Sequence, residues 1–282
     1  MTERRWQPAK IEFRVLNNKF IIVIPCYNAE STIEIAVLTV LKQDFEDLGI
    51  IIRNDLSTDK TSSIVRKIFG VTDPGNFYIK SAGRDVIYIE NTKKLYGGGN
   101  TYESVVDFSN DPYSIIGVVD GDDFLVAVNA VSIIYEEYQT NPDKWLIWSQ
   151  HVSRVQLKKN FAGFSFPLPP DDYIYKSRRY WAVSHFRTCL SGLFRLIDPA
   201  DLSDPYNQDS HARICGDAAI LYPIIELCGN KHSLFVNKSL YYYNDGIPTN
   251  DAELYKSDLQ FYKGYFESKQ IYSPLADDYK FY

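Results

Sequence analysis

Ile115-Ile116-Gly117-Val118-Val119-Asp120-Gly121-Asp122-Asp123-Phe124-Leu125 is an apolar run that ends in three carboxylates within four residues. The apolar half predicts a buried strand, and the acids predict its exposed C-terminal end. Three like charges this close repel one another, and a fold holds them together at a cost unless a cation binds there. A divalent metal with oxygen ligands suits such a cluster. An acidic turn after a strand is the plainer alternative. An EF-hand calcium loop is excluded, because the sixth residue counted from Asp120 is Leu125, where that motif needs glycine.

The same strand-then-polar-loop pattern recurs on the N-terminal side. Phe20-Ile21-Ile22-Val23-Ile24 is a short apolar run closed by Pro25 and followed by Cys26-Tyr27-Asn28-Ala29-Glu30. A helix is predicted from Ser31, with Glu34 completing a capping box. Its inner stripe is Ile33, Ala36, Val37, Val40 and Leu41. Ile50-Ile51-Ile52 runs into Arg53-Asn54-Asp55-Leu56-Ser57, and a helix follows from Thr61 to Phe69. Val86–Ile89 predicts a strand, Lys93–Asn100 a loop containing Gly97-Gly98-Gly99, and Thr101–Phe108 a short helix. After the acidic stretch a helix spans Val128–Tyr138. Strands alternating with helices at this spacing predict right-handed βαβ units and a mostly parallel sheet. Ligands of such sheets bind beyond the carboxyl ends of the strands, so the loops around Asn28, Asp55 and Asp122 converge.

The second half is less regular. Trp145–Trp148, Ser191–Ile197 and Ser233–Tyr243 predict strands; Ala218–Cys228 and Asp251–Ser268 predict helices. Residues 156–181, with Pro167, Pro169 and Pro170, predict a long loop or lid. The residues up to Asn18 predict a lead-in strand or arm.

Composition narrows the function. The 282 residues, 45% of them hydrophobic, are enough for one large α/β domain or one domain with an appendage. A net charge of −6 without a basic run argues against nucleic acid as a partner. No apolar stretch is long enough to span a bilayer, and Met1–Trp6 has no apolar segment behind it, so it is not a signal peptide. Cys26, Cys189, Cys215 and Cys228 lack a zinc spacing and fit reduced thiols in a cytoplasmic protein. The 22 tyrosines suit ring-stacking on sugars as well as ordinary packing.

The segments Ile24-Pro25-Cys26-Tyr27-Asn28-Ala29-Glu30, Asn54-Asp55-Leu56-Ser57-Thr58-Asp59-Lys60-Thr61, Gly99-Asn100, Asp120-Gly121-Asp122-Asp123 and Gly216-Asp217 occur in that order. Together they resemble the family 2 glycosyltransferases over about residues 19–229. The resemblance implies a GT-A fold, an α/β, Rossmann-like and mostly parallel central sheet with helices on both faces. It divides the chain into a lead-in (1–18), the GT-A domain (19–232) and a C-terminal helical and aromatic extension packed on the core (233–282). It also implies inverting transfer of a sugar from a nucleotide-sugar, with UDP the expected nucleotide, to the hydroxyl of a glycan or other acceptor. The expected cofactor is a divalent metal, Mn2+ or Mg2+.

The resemblance assigns roles residue by residue. Asp55 would accept from the nucleobase edge, Tyr27 would stack on the base, Pro25 would shape the pocket, and Asn28 and Glu30 would orient the ribose. Gly98 and Asn100 belong to the nucleotide-sugar site, where glycine allows close backbone approach. Asp120 and Gly121 would face the ribose and metal region, Asp122 would ligate the metal, and Asp123 would support it from behind. Asp217 would be the general base that takes the acceptor proton. Its plainer reading is a helix cap. His185 and Arg187 would line the acceptor side, and His185 would be a further metal or diphosphate ligand. The chain departs from the family pattern at Leu56, where the family often has glycine, and in Gly97-Gly98-Gly99-Asn100, where the family often has Ala and Arg before the Asn. A nucleotidyltransferase is the first rival, but Pro25–Ser31 is not the glycine-rich basic loop those enzymes carry. A nucleotide-sugar-binding domain without catalysis is the second, and the intact carboxylate set argues against it.

Overall fold

The computed structural model describes residues 15–153, 165–169, 178, 181–245, 255 and 257–282. Strand β1 (Phe20–Cys26) is buried at every position, as its unbroken apolar run requires of a strand covered on both faces. It pairs in parallel with β2 (Leu48–Asn54) on one side and β5 (Ile115–Val118) on the other. Beyond β2 lie β4 (Arg84–Glu90), parallel, and then β3 (Phe77–Ser81), antiparallel. Beyond β5 lie β8 (Arg187–Leu190), β7 (Leu146–Ser153), β11 (Ser233–Tyr243) and the short β6 (Phe124–Leu125), completing a nine-stranded sheet. A separate hairpin joins β9 (Ser203–Asp204) and β10 (Asn207–His211). Register positions the site. Cys26 faces Asn54 and Val23 faces Val118, so the polar loops that follow β1, β2 and β5 leave the sheet side by side.

Among the described residues the α-helices are α1 (Ile33–Leu41), α2 (Thr61–Phe69), α3 (Tyr96–Phe108), α4 (Ala130–Thr140), α5 (Gly216–Cys228) and α6 (Leu259–Ser268). The α1 stripe is as expected, with Ile33, Ala36, Val37 and Val40 buried; full burial of each large member is worth about 1.5–3 kcal/mol.

Several expectations are corrected. The Ser31/Glu34 capping box does not form. The helix starts at Ile33, and the cap residue Thr32 makes no side-chain bond to it. The entry is held instead by the Asp59–Thr61 loop, where Thr61 Oγ1 accepts from Ala29 N at 2.8 Å and Asp59 Oδ2 accepts from Glu30 N at 2.9 Å. Thr32 Oγ1 donates to Gly121 O at 3.0 Å, tying α1 to the acidic loop. The glycines 97–99 are helical rather than a loop, since α3 begins at Tyr96. Ser191–Leu196 is a 3-10 helix and the strand lies just before it, at Arg187–Leu190. Strand β3 was not expected; its hairpin turns on Ala82 and Gly83, both with positive φ (50° and 79°), where Asn-Gly would have advertised it.

The segment from residue 233 onward is not wholly an appendage, because β11 is an interior strand of the main sheet. What packs on the outside is α6 and the tail. Arg178 fastens them: its guanidinium makes a bidentate pair with Glu226 of α5 (2.6 and 2.8 Å) and donates to Phe266 O and Gln270 O, both at 2.8 Å. Both partners are almost wholly buried, so the pair depends on this complete set of bonds. Phe281 fills the space over Gly192, where a Cβ would meet its ring at 2.6 Å. The expected lead-in through residue 14, most of the expected lid (156–164, 170–177 and 179–180) and the first turns of the expected helix at 251–254 lie outside the described residues. Among the described residues no helix is long and apolar enough to cross a membrane.

Candidate active site

A cleft of about 770 Å3 opens at the carboxyl ends of β1, β2 and β5. Its wall includes Pro25, Tyr27, Asn28, Asp55, Gly98, Asn100, Asp120, Gly121, Asp122, His185, Arg187 and Asp217. The site residues assigned from the sequence therefore border one space, except Glu30 and Asp123. Glu30 is exposed, its Oε2 accepts from Lys60 N at 3.0 Å, and it lies outside the lining of the cleft. Asn28 is on the wall, but its Oδ1 is taken by Thr58 N at 2.8 Å.

The nucleotide end is built on Asp55, which is 1% exposed. Its Oδ1 accepts from Asn91 Nδ2 and Leu95 N, and its Oδ2 accepts from Tyr96 N, each at 2.8 Å. Asp55 thus holds the start of α3, a favourable place for an anion, rather than presenting an open carboxylate. Lys94 Nζ lies 3.3 Å from Asp55 Oδ2 and 2.9 Å from the centre of the Tyr27 ring. The ring face on which a base would stack is covered by this ammonium, a cation–π contact. Asn100 is turned inward and accepts from Asn91 at 2.7 Å. Leu56 has φ +63°, the left-handed conformation that the family's usual glycine adopts without steric cost.

The acidic end is organised by tyrosines of β11. The Tyr241 hydroxyl accepts from Asp120 N at 3.1 Å and donates to Asp123 Oδ2 at 2.7 Å. Asn244 N donates to the other Asp123 oxygen at 2.8 Å. His185 stacks on Tyr241 and Tyr243, with ring centres 4.7 and 5.1 Å away, and its Nε2 lies 3.6 Å from Asp120 Oδ2. Burial, followed by the charges of Asp122 and Asp120, pushes the Asp123 carboxyl well above the usual carboxylate range, the mutual repulsion expected of the sequence. Burial would also raise Asp120, but His185 and the Arg187 guanidinium outweigh it and hold that carboxyl low. Burial and Arg187 push the His185 imidazole down, which favours the neutral ring that ligates metals.

Donor atoms of Asp120, Asp123 and His185 lie within 4.8 Å of one another. Two carboxylates and an imidazole this close fit a Mn2+- or Mg2+-like cation. The cluster contains Asp123, to which the sequence assigned only a supporting place, whereas Asp122 is the acid on the cleft wall.

Elsewhere on the wall α3 and α5 meet backbone to backbone. A Cβ on Gly98 would stand 2.6 Å from Gly216, so this glycine is needed for contact rather than for flexibility. The crossing sets Asp217 on the wall. Asp217 is in the first turn of α5 and is not its cap; that position is Cys215, at φ +57°. Its Oδ1 accepts from Ala218 N at 2.8 Å, and its Oδ2 lies 3.5 Å from Arg187 Nη1. Gly98→Ala is expected to destabilise the protein by about 1–3 kcal/mol, since backbone cannot rotate out of the way as a side chain can. The check is denaturant unfolding; an unchanged midpoint would contradict the close crossing.

A mostly parallel α/β sheet with one cleft and an acidic cluster at its carboxyl edge defines a GT-A-type architecture. The glycosyl transferase family 2 model matches residues 21–197, and the chain belongs to that family. No curated protein matches the sequence. The fold is similar to S. aureus TarS 1-349 in complex with UDP-GlcNAc, with a TM-score of 0.55 and 15% identity over 84% of this chain and 61% of that one. It is also similar to glucosyl-3-phosphoglycerate synthase from Mycobacterium tuberculosis in complex with Mn2+ and UDP-glucose, with a TM-score of 0.56 and 13% identity over 95% of this chain and 86% of that one. In another TarS structure the chain spans 37% of that protein's length. At these identities the likeness is one of fold.

Proposed function

We propose that this glycosyltransferase moves a sugar from a UDP-sugar to an acceptor hydroxyl with inversion, assisted by a divalent metal. The observation that carries the reading is that Tyr27, Asp55, Asp120, His185 and Asp217 all line one cleft. The fold neighbours titled as complexes with UDP-GlcNAc and with UDP-glucose and Mn2+ support the choice of donor and metal.

In this reading the base stacks on Tyr27 after Lys94 leaves the ring, and Asp55 keeps the α3 start rigid beneath it. Asp120 and His185, with Asp122 or Asp123, would hold the cation. Bound there, it would supply counter-charge to the departing diphosphate. Asp217 takes the proton of the acceptor hydroxyl as the oxygen attacks the anomeric carbon from the face opposite the leaving group. Tyr241 positions the acids by bridging Asp120 N and Asp123.

The test is a panel of UDP-, GDP- and dTDP-sugars, read by thermal shift with Mn2+ or Mg2+ and then by transfer to a mixed acceptor pool. A UDP-sugar is expected to stabilise the protein most and to be consumed with inversion. A shift without consumption would favour the binding-only rival. No shift with any nucleotide would contradict the reading. Tyr27→Ala is expected to weaken UDP about tenfold, because stacking on an aromatic ring contributes about 1–3 kcal/mol per base. Calorimetry checks it; equal affinity would place the base elsewhere.

A further inference from the structure

We propose that Arg187 is an anion-binding residue of this cleft, its Nη1 taking a phosphate or carboxylate oxygen from a bound substrate. The inference rests on the glycosyl-transfer reading for the identity of that substrate, but its geometry stands alone. The Arg187 side chain is 10% exposed and lines the cleft. Its Nη1 is buried and makes no hydrogen bond. The nearest carboxylate, Asp217 Oδ2, is 3.5 Å away and itself 44% exposed, so solvent screens much of that attraction.

A guanidinium stays protonated even when buried, so Arg187 cannot relieve its burial by losing charge. A buried donor left unbonded is costly, and in native proteins such a group calls for an explanation, an absent ligand among them. Register places the residue where a ligand would reach it. Thr188 faces Gly117 of β5, so Arg187 lies at the edge from which Val118 leads to Asp120. It stands between the acidic cluster and Asp217, and its charge pulls the Asp120 carboxyl down. The planar fork of arginine matches the oxygen spacing of phosphate and carboxylate. Two sources supply such an oxygen: the donor diphosphate, or an anionic group on the acceptor next to the hydroxyl that Asp217 serves.

The experiment is calorimetric titration of wild type, Arg187→Gln and Arg187→Lys with uridine, with UDP in Mn2+, and with inorganic phosphate before and after UDP saturation. If the donor diphosphate is the source, UDP weakens about tenfold or more in Arg187→Gln while uridine is unchanged. If the acceptor is the source, UDP and uridine both bind as in wild type, and phosphate binds the UDP-saturated wild type but not Arg187→Gln. Arg187→Gln binding UDP and phosphate like wild type overturns the proposal. If wild type binds neither uridine nor UDP, the nucleotide-sugar reading fails by itself, and phosphate binding to the free protein decides Arg187: lost in the Gln variant it supports the proposal, absent from wild type or unchanged it overturns it. Should Arg187→Gln not fold, Arg187→Lys, which keeps the charge and loses the fork, is expected to weaken the same ligand several-fold; identical binding overturns the proposal.

Discussion

Asp217→Asn is expected to lower turnover by about 10²–10⁴-fold, the range a positioned general base contributes, while UDP binds as it does to wild type. The amide keeps the shape and the bond to Ala218 N; it removes the capacity to take a proton and the charge that faces Arg187 Nη1 at 3.5 Å. Asp217 makes its contacts with Ala218 N and Arg187 Nη1, and neither involves Tyr27 or Asp55. Its place in the first turn of α5 rather than at the cap matters here. Helix entry is made by Cys215 and the Gly216–Gly98 crossing, so the fold has little need of the carboxylate. The measurement is steady-state transfer beside UDP titration. An unchanged turnover number removes Asp217 as base, and a joint loss of UDP binding and stability makes it structural.

Asp120→Asn is expected to abolish metal-stimulated transfer, a loss of at least about 10²-fold, together with the Mn2+-dependent part of UDP binding. Asp120 belongs to both the cleft wall and the three-residue cluster, so it is common to either choice of ligand set. Its neighbours separate the two. If Asp122 holds the cation, Asp122→Asn copies Asp120→Asn, and Asp123→Asn mainly lowers stability by disturbing Tyr241 and Asn244. If Asp123 holds it, the pattern reverses. Full activity of wild type in EDTA would contradict the metal in either form.

Much of the central sheet was legible because apolar runs such as Phe20–Ile24 and Ile50–Ile52 can only be strands covered on both faces, and the loop after each run falls on the ligand-binding edge. The α2 limits, Thr61 and Phe69, were also readable, since an apolar face at helical spacing fills that segment. Other features lacked a local signal. Tyr241 and Tyr243 act at the acidic cluster while Tyr242, between them, stacks on Phe124 at 4.5 Å. The alternation of a strand predicts two faces but not which face meets Asp123, because that depends on β11 lying between β7 and β6. Glycines 97–99 have low helix propensity and read as a loop; the close approaches of Gly98 to Gly216 and of Gly99 to His211 are tertiary. The role given to Asp55 from its position after a strand met the same limit. A carboxylate there can face a base or cap the next helix, and here its acceptor sites go to Leu95, Tyr96 and Asn91. Leu56 shows the converse: it holds a left-handed backbone conformation that its residue type does not advertise.

The central claim, one cleft in which a nucleoside diphosphate and a divalent cation bind together, is tested most directly by titrating UDP into wild type and Asp120→Asn, each in Mn2+ and in EDTA. The account predicts that Mn2+ tightens UDP binding to wild type and has no such effect on Asp120→Asn. UDP affinity that is the same in all four titrations, or no UDP binding to wild type at all, would contradict it.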